Sequence, residues 1–138
     1  MDTTRLAFSE PDDPHFGPVI YTYSRVQAIA DGVLVDVTET AKEVGFKLPL
    51  AITAALYDRL VPTQADQDLG QDYDGRLWDV LWMLRVASGK AANSDRVHFQ
   101  VLVHVHGDGL RETVSLWALC GPGDGAQPVI TIMVEGED

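Results

Sequence analysis

Arg76-Leu77-Trp78-Asp79-Val80-Leu81-Trp82-Met83-Leu84-Arg85-Val86-Ala87 reads as one helix. Leu77, Leu81 and Leu84 recur at helical spacing, and Trp78 and Trp82 stand four apart on the adjoining stripe. Val80, Met83 and Val86 fill most of what remains. A helix apolar on nearly every side is normally covered on more than one side, so this segment is expected to be the buried centre of the fold. Asp74 is the expected cap before it, and Ser88-Gly89-Lys90 stops it.

Beyond that helix the pattern changes to period two. The odd positions of Val97-His98-Phe99-Gln100-Val101-Leu102-Val103-His104-Val105-His106 are all apolar, and a second strand runs from Leu110 to Cys120. Asp108-Gly109 is a strong two-residue hairpin signal, and a turn there pairs Val97 with Cys120. This register turns Cys120 inward and sends His98, His104 and His106 to the opposite face. Gly121 to Pro128 returns the chain. Pairing 120 with 130 then adds Ile130, Ile132 and Val134 to the core face.

The first two-thirds reads as short pieces. Ser9-Glu10-Pro11-Asp12-Asp13-Pro14 is too polar and proline-rich to nucleate structure, so residues 1–17 are expected to form a loose arm before a single domain, 18–138. Val19 to Tyr23 reads as a strand, and Ser24 with Gln27 as a capping box for a helix that Gly32 ends. Val33 to Val37 is extended, Thr38 caps a second helix, and Gly45 closes it. Pro49 is the expected first residue of a third helix, with Ile52, Leu56 and Leu60 as one stripe and Pro62 at its end. Residues 63–75 read as an acidic loop. The expectation is an α+β fold: short helices and one central buried helix packed on a C-terminal antiparallel β-meander, which the N-terminal strand can join.

The chain has 138 residues, 46% of them hydrophobic, and a net charge of −11. That length and composition suit one folded domain. The acidic surplus disfavours direct binding to a nucleic-acid backbone, which needs clustered Lys and Arg. One cysteine, Cys120, leaves no internal disulfide and no multi-cysteine zinc site. The beginning, Met1-Asp2-Thr3-Thr4-Arg5-Leu6-Ala7-Phe8, has no signal-peptide pattern, and no apolar run reaches the roughly 20 residues of a membrane span. A cytoplasmic location is expected.

Candidate sites are few. His104 and His106 project from one strand face about 6.5–7 Å apart, a weak metal pair without a matched third ligand. Asp66, Asp68, Asp72 and Asp74 do not match a calcium-binding loop, since Gly70 stands at the fifth position and no glutamate at the twelfth. Gly121-Pro122-Gly123-Asp124-Gly125 lacks the lysine and helix of a phosphate cradle. Tyr21, Tyr23, Arg25 and Arg76, with the tryptophans, are candidates for a small-molecule pocket. Leu102, Trp117, Leu119, Val129 and Met133 make the second face of the meander partly apolar; the N-terminal elements cover it, or Trp117 and Met133 form a contact surface for a partner or a second copy.

Three stretches together carry a resemblance: Val19-Ile20-Tyr21-Thr22-Tyr23-Ser24-Arg25 through Ala28 to Val37; Asp74-Gly75-Arg76-Leu77-Trp78-Asp79-Val80-Leu81-Trp82-Met83; and Cys120-Gly121-Pro122-Gly123-Asp124 with Pro128 to Ile132. The combination resembles a bacterial family of small, functionally uncharacterised proteins carried on plasmids, phages and other mobile elements, over roughly residues 18–138. The resemblance implies a setting, an accessory protein of a mobile element, and supplies no catalytic or binding residues. Charge and setting together lead to an expectation. The chain is a non-enzymatic protein, without cofactor, whose acidic residues, Asp66, Asp68 and Asp72 among them, meet a basic host protein, such as a nucleic-acid-handling defence enzyme. The alternative is a small-molecule or metal-dependent enzyme using the Tyr/Arg or His-x-His groups.

Overall fold

The computed structural model describes residues 24–90, 95–105 and 111–137. The elements follow in chain order: α1 (Arg25–Ala30), β1 (Leu34–Asp36), α2 (Thr38–Val44), β2 (Leu50–Thr53), α3 (Ala54–Leu60), α4 (Gln64–Asp68), α5 (Tyr73–Lys90), β3 (Arg96–Val105), β4 (Arg111–Pro122) and β5 (Pro128–Val134). The strands form one sheet in the order β1-β2-β5-β4-β3. β3, β4 and β5 are the expected antiparallel meander; β2 adds to β5 in parallel, and β1 pairs antiparallel with β2. This is an α+β fold on a mixed sheet. The arm expected over 1–17 and the strand expected over Val19–Tyr23 lie outside the described residues.

The sheet packs one face against the helices, and the centre of that face is fully buried. Leu50 and Ile52 of β2, Phe99 and Val101 of β3, Val114 and Leu116 of β4 and Ile132 of β5 meet Ala41 and Val44 of α2, Leu56 and Leu60 of α3, and Leu77, Val80, Leu81 and Leu84 of α5. Each fully buried Leu, Ile or Val contributes about 1.5–3 kcal/mol before chain entropy. The short α1 lies on the other face and buries Ala28.

Several local expectations hold at the atomic level. The Gln27 N–H donates to Ser24 Oγ at 3.0 Å, capping α1. Gly45 takes φ +116°, a left-handed stop for α2. A Cβ there would stand 2.6 Å from Arg85 Nη1, so glycine also lets that guanidinium reach the Val44 carbonyl. A cation at the carboxyl end of a helix is favourable twice over, as a donor and against the helix dipole.

Others are corrected. The third helix does not begin at Pro49. Leu50 to Thr53 is a strand, and Thr53 caps α3 by accepting the Leu56 N–H at 3.2 Å. Thr38 is the first residue of α2 and not its cap; its Oγ1 accepts the Leu50 N–H at 3.0 Å, tying α2 to β2. The acidic segment contains α4, capped by Thr63. The central helix begins earlier, at Tyr73, with Asp72 Oδ1 accepting the Gly75 N–H at 2.6 Å in the capping role expected of Asp74.

The central helix is also buried on one side only: Trp78, Trp82, Met83 and Val86 are 39%, 47%, 38% and 40% exposed. In the hairpin, Val97 pairs with Ala118 rather than Cys120, a shift of two residues that holds as far as Leu102; beyond an irregularity between Leu102 and His104 the shift is one residue, with His104 opposite Glu112 and Val105 opposite Arg111. A shift of two residues preserves which face each side chain takes, so the core face is the expected one. Cys120 does pair with Ile130, yet it is exposed, because the core ends before that edge of the sheet.

Candidate functional site

Three features of the structure could carry chemistry or contact. The first is a buried polar knot beneath the start of α5. Arg76 is 4% exposed and Asp66 7%. Arg76 Nη2 donates to Asp66 Oδ2 at 3.2 Å and to Gln71 Oε1 at 2.7 Å, and Nη1 donates to the Leu60 carbonyl at 3.3 Å. Its Nε–H finds no acceptor. A buried guanidinium is tolerated only when a counter-charge and acceptors surround it. The knot fastens α4 and the end of α3 to α5, which is a structural role.

The second is a cleft of about 370 Å³ on the outer face of the sheet, between α1 and the glycine-rich loop. Ala28, Leu34, Leu119, Val129 and Met133 make its walls largely apolar, and Arg25 and Asp124 stand at its rim. Arg25 Nη1 donates to Thr131 Oγ1 at 2.7 Å and Nη2 to the Ile130 carbonyl at 2.8 Å. Burial lowers the Arg25 pKa from its usual value, while Asp36 and Asp124 act in the opposite direction. Asp124 accepts the Arg25 and Val26 N–H groups at 2.7 and 2.9 Å. The loop lacks a phosphate cradle's parts and serves instead as an anchor, its carboxylate holding the amino end of α1 against the sheet.

The third is the outward side of α5. Trp78, Trp82, Met83 and Val86 form one exposed stripe, with Asp79 among them. Arg85 lies over the Trp82 ring at 5.6 Å. Burial raises the Asp79 carboxyl pKa above its usual value. Beside Trp78, a more open cleft of about 590 Å³ runs between Gln71, Asp72, Asp79 and Leu102.

The residues singled out from sequence are distributed among these features. Arg25 and Arg76 do not share a pocket: Arg25 reaches β5 on the outer face, whereas Arg76 is buried on the α5 side. Tyr21, Tyr23 and His106 lie outside the described residues; His104 is in β3, opposite Glu112. Asp66 is buried against Arg76, so it is not a surface contact, while Asp68 and Asp72 are exposed. Trp117 and Met133 are paired across β4 and β5 and are partly covered. Trp117 also packs against His98 at 4.6 Å and under Arg96 at 5.3 Å. Among the described residues, no three His, Cys, Asp or Glu side chains converge as a metal-binding group. No helix among them is long and apolar enough to cross a membrane. Sequence patterning does not reveal the anchoring by Asp124 or the exposed half of α5; the Asp-Gly pair after Gly123 signals a turn but not the helix it caps.

Residues 15–138 match a family of unknown function, DUF6573. The chain belongs to that family. The DUF6573 match takes in Tyr21 and Tyr23 as well as every described element. No curated protein and no solved structure matches the chain.

Proposed function

We propose that this DUF6573 protein is a non-enzymatic, acidic accessory factor that binds a partner protein through a basic surface on that partner. The observation that supports this is the fate of its cations. Arg76 is buried with Asp66, Arg59 pairs with Glu112 at 2.9 Å, and Lys42 pairs with Glu39 at 3.2 Å. Arg25 is spent on Thr131 and the Ile130 carbonyl, and Arg85 on the Val44 carbonyl. Asp58, Asp68, Asp72, Asp74 and Asp79 are meanwhile exposed. Among the described residues, exposed carboxylates outnumber exposed cations, and in a chain of net charge −11 such a surface attracts a basic partner and repels nucleic acid. The setting we propose is a mobile element in a bacterial cytoplasm, with a host protein, such as a nucleic-acid-handling defence enzyme, as the partner; it rests on the resemblance of the three stretches quoted above.

The test is capture from host lysate at low and moderate salt, with mass spectrometry. A basic protein held at low salt and shed at moderate salt is expected, because exposed charge pairs are screened within about 8–10 Å at physiological ionic strength. No salt-sensitive partner would refute the reading for that host. The apolar cleft beside Arg25 favours a second reading, small-molecule binding. A ligand screen by thermal shift tests it, with Met133→Ala expected to abolish any hit.

A further inference from the structure

We infer that the outward stripe of α5, Trp78, Trp82, Met83 and Val86, is the docking surface for a basic amphipathic helix of a partner protein. The inference rests on the basic-partner reading and gives it a location. The four side chains are each more than a third exposed and lie on one side of an 18-residue helix. From Trp78 to Val86 they extend about 12 Å along its axis, enough to seat two turns of a second helix. Scattered exposed apolar residues are ordinary, but an aromatic pair continued by Met and Val on one helix face is a contiguous patch. Tryptophan is also among the residue types enriched at the energetic centres of protein interfaces.

Charge selects the occupant. A second copy of this chain would bring a further −11 against the patch. An anionic membrane surface or a nucleic acid meets the same repulsion. A helix with an apolar face and flanking Lys or Arg residues meets attraction instead: Asp72, Asp74 and Asp79 are exposed along the amino-terminal half of α5. The 590 Å³ cleft between Trp78, Asp72, Asp79 and Leu102 is lined also by Arg76, whose charge is already paired with Asp66; it gives one basic side chain a seat, its stem along Trp78 and Leu102 and its charged head at the Asp72 and Asp79 carboxylates. Burial already raises the Asp79 pKa, so a cation placed there would relieve a carboxylate that is partly desolvated.

The probe is a synthetic 18-residue amphipathic helix of leucine and lysine, with a leucine and glutamate helix of the same pattern as its counterpart. Binding to the full chain is read by anisotropy of a dye on the peptide. The lysine peptide is expected to bind and the glutamate peptide not to bind. Trp82→Ala should weaken the lysine peptide about tenfold and Trp82→Lys more, while Val26→Ala on α1 leaves it unchanged. Circular dichroism and the melting temperature identify a variant that has failed to fold. Trp78→Ala is then a second reading of the same patch. Equal binding to wild type and both Trp82 variants would overturn this surface and leave the basic-partner reading standing. Binding of neither peptide would overturn this docking surface, while lysate capture decides the basic-partner reading on its own. A dimer by light scattering that Trp82→Lys converts to monomer would overturn the inference in favour of self-association.

Discussion

Replacing Asp66 with asparagine removes the counter-charge from a guanidinium that is 4% exposed, with almost no change in shape. Breaking a buried ion pair from one side costs about 3–5 kcal/mol, because the remaining charge stays out of water. Arg76 keeps its bonds to the Leu60 carbonyl and Gln71 Oε1, so the lower end, about 3 kcal/mol, is expected. For a chain of this length, each kcal/mol moves the melting temperature by roughly 3–4 °C, so Asp66→Asn should melt about 10 °C lower. Arg76→Met should cost a similar amount by removing the guanidinium from the buried Asp66 carboxylate. The double variant Asp66→Leu, Arg76→Met removes both charges and should recover most of the loss, since an apolar pair of similar volume replaces a buried ion pair at little or no cost. Urea unfolding followed by tryptophan fluorescence measures all of them, with unchanged m-values as the check on two-state behaviour. An Asp66→Asn variant within about 0.5 kcal/mol of wild type, or a double variant whose loss equals the sum of the single losses, would show that the pair is not coupled as the geometry requires.

Asp124→Ala removes the acceptor for the Arg25 and Val26 N–H groups; amide exchange over residues 25–28 should rise sharply, with a global cost of about 1–2 kcal/mol. The Tyr73 hydroxyl is pushed up to about 12 by burial, by Tyr57 and by Asp74. The unfolded chain releases that proton near pH 10 and the folded chain holds it, so stability should fall as pH rises from 10 through 12. Tyr73→Phe should flatten that part of the profile, measured as melting temperature against pH. Cys120 is exposed, so one thiol should react with a chromogenic disulfide reagent in the native protein at a rate close to that of the urea-unfolded chain.

The meander face and the central helix are legible in the sequence because both depend on periodicity. Val97, Phe99 and Val101 have to share a side whatever the register, which is why a shift of two residues leaves the core unchanged. The exposed half of α5 is not legible. An apolar side chain states what it would gain by being covered, not whether anything covers it. Ile52, Leu56 and Leu60 match one helix stripe by spacing, yet Ile52 belongs to a strand; the change at Thr53 is visible only as a capping residue in the middle of the run. Asp66 and Arg76 sit ten positions apart with opposite charges, but only the turn of the chain through α4 makes them a pair. The part of the site most open to reading is Arg25, an arginine at the start of a short helix; its acceptors on β5 lie more than a hundred positions away.

The parallel pairing of β2 with β5 also sets an order of events during synthesis. Leu50 to Ile52 line up with Ile130 to Ile132, and about 75 residues separate the two strands. At about 5–20 residues per second, a ribosome needs roughly 4–15 s to pass from one to the other. Throughout that interval β2 lacks its β5 neighbour, and the pair it forms with β1 across α2 is, as two strands alone, at best marginally stable in water. The amino-terminal half therefore waits for the last strand to leave the tunnel, and its exposed edge is the point at which a nascent-chain chaperone would be most useful to this protein.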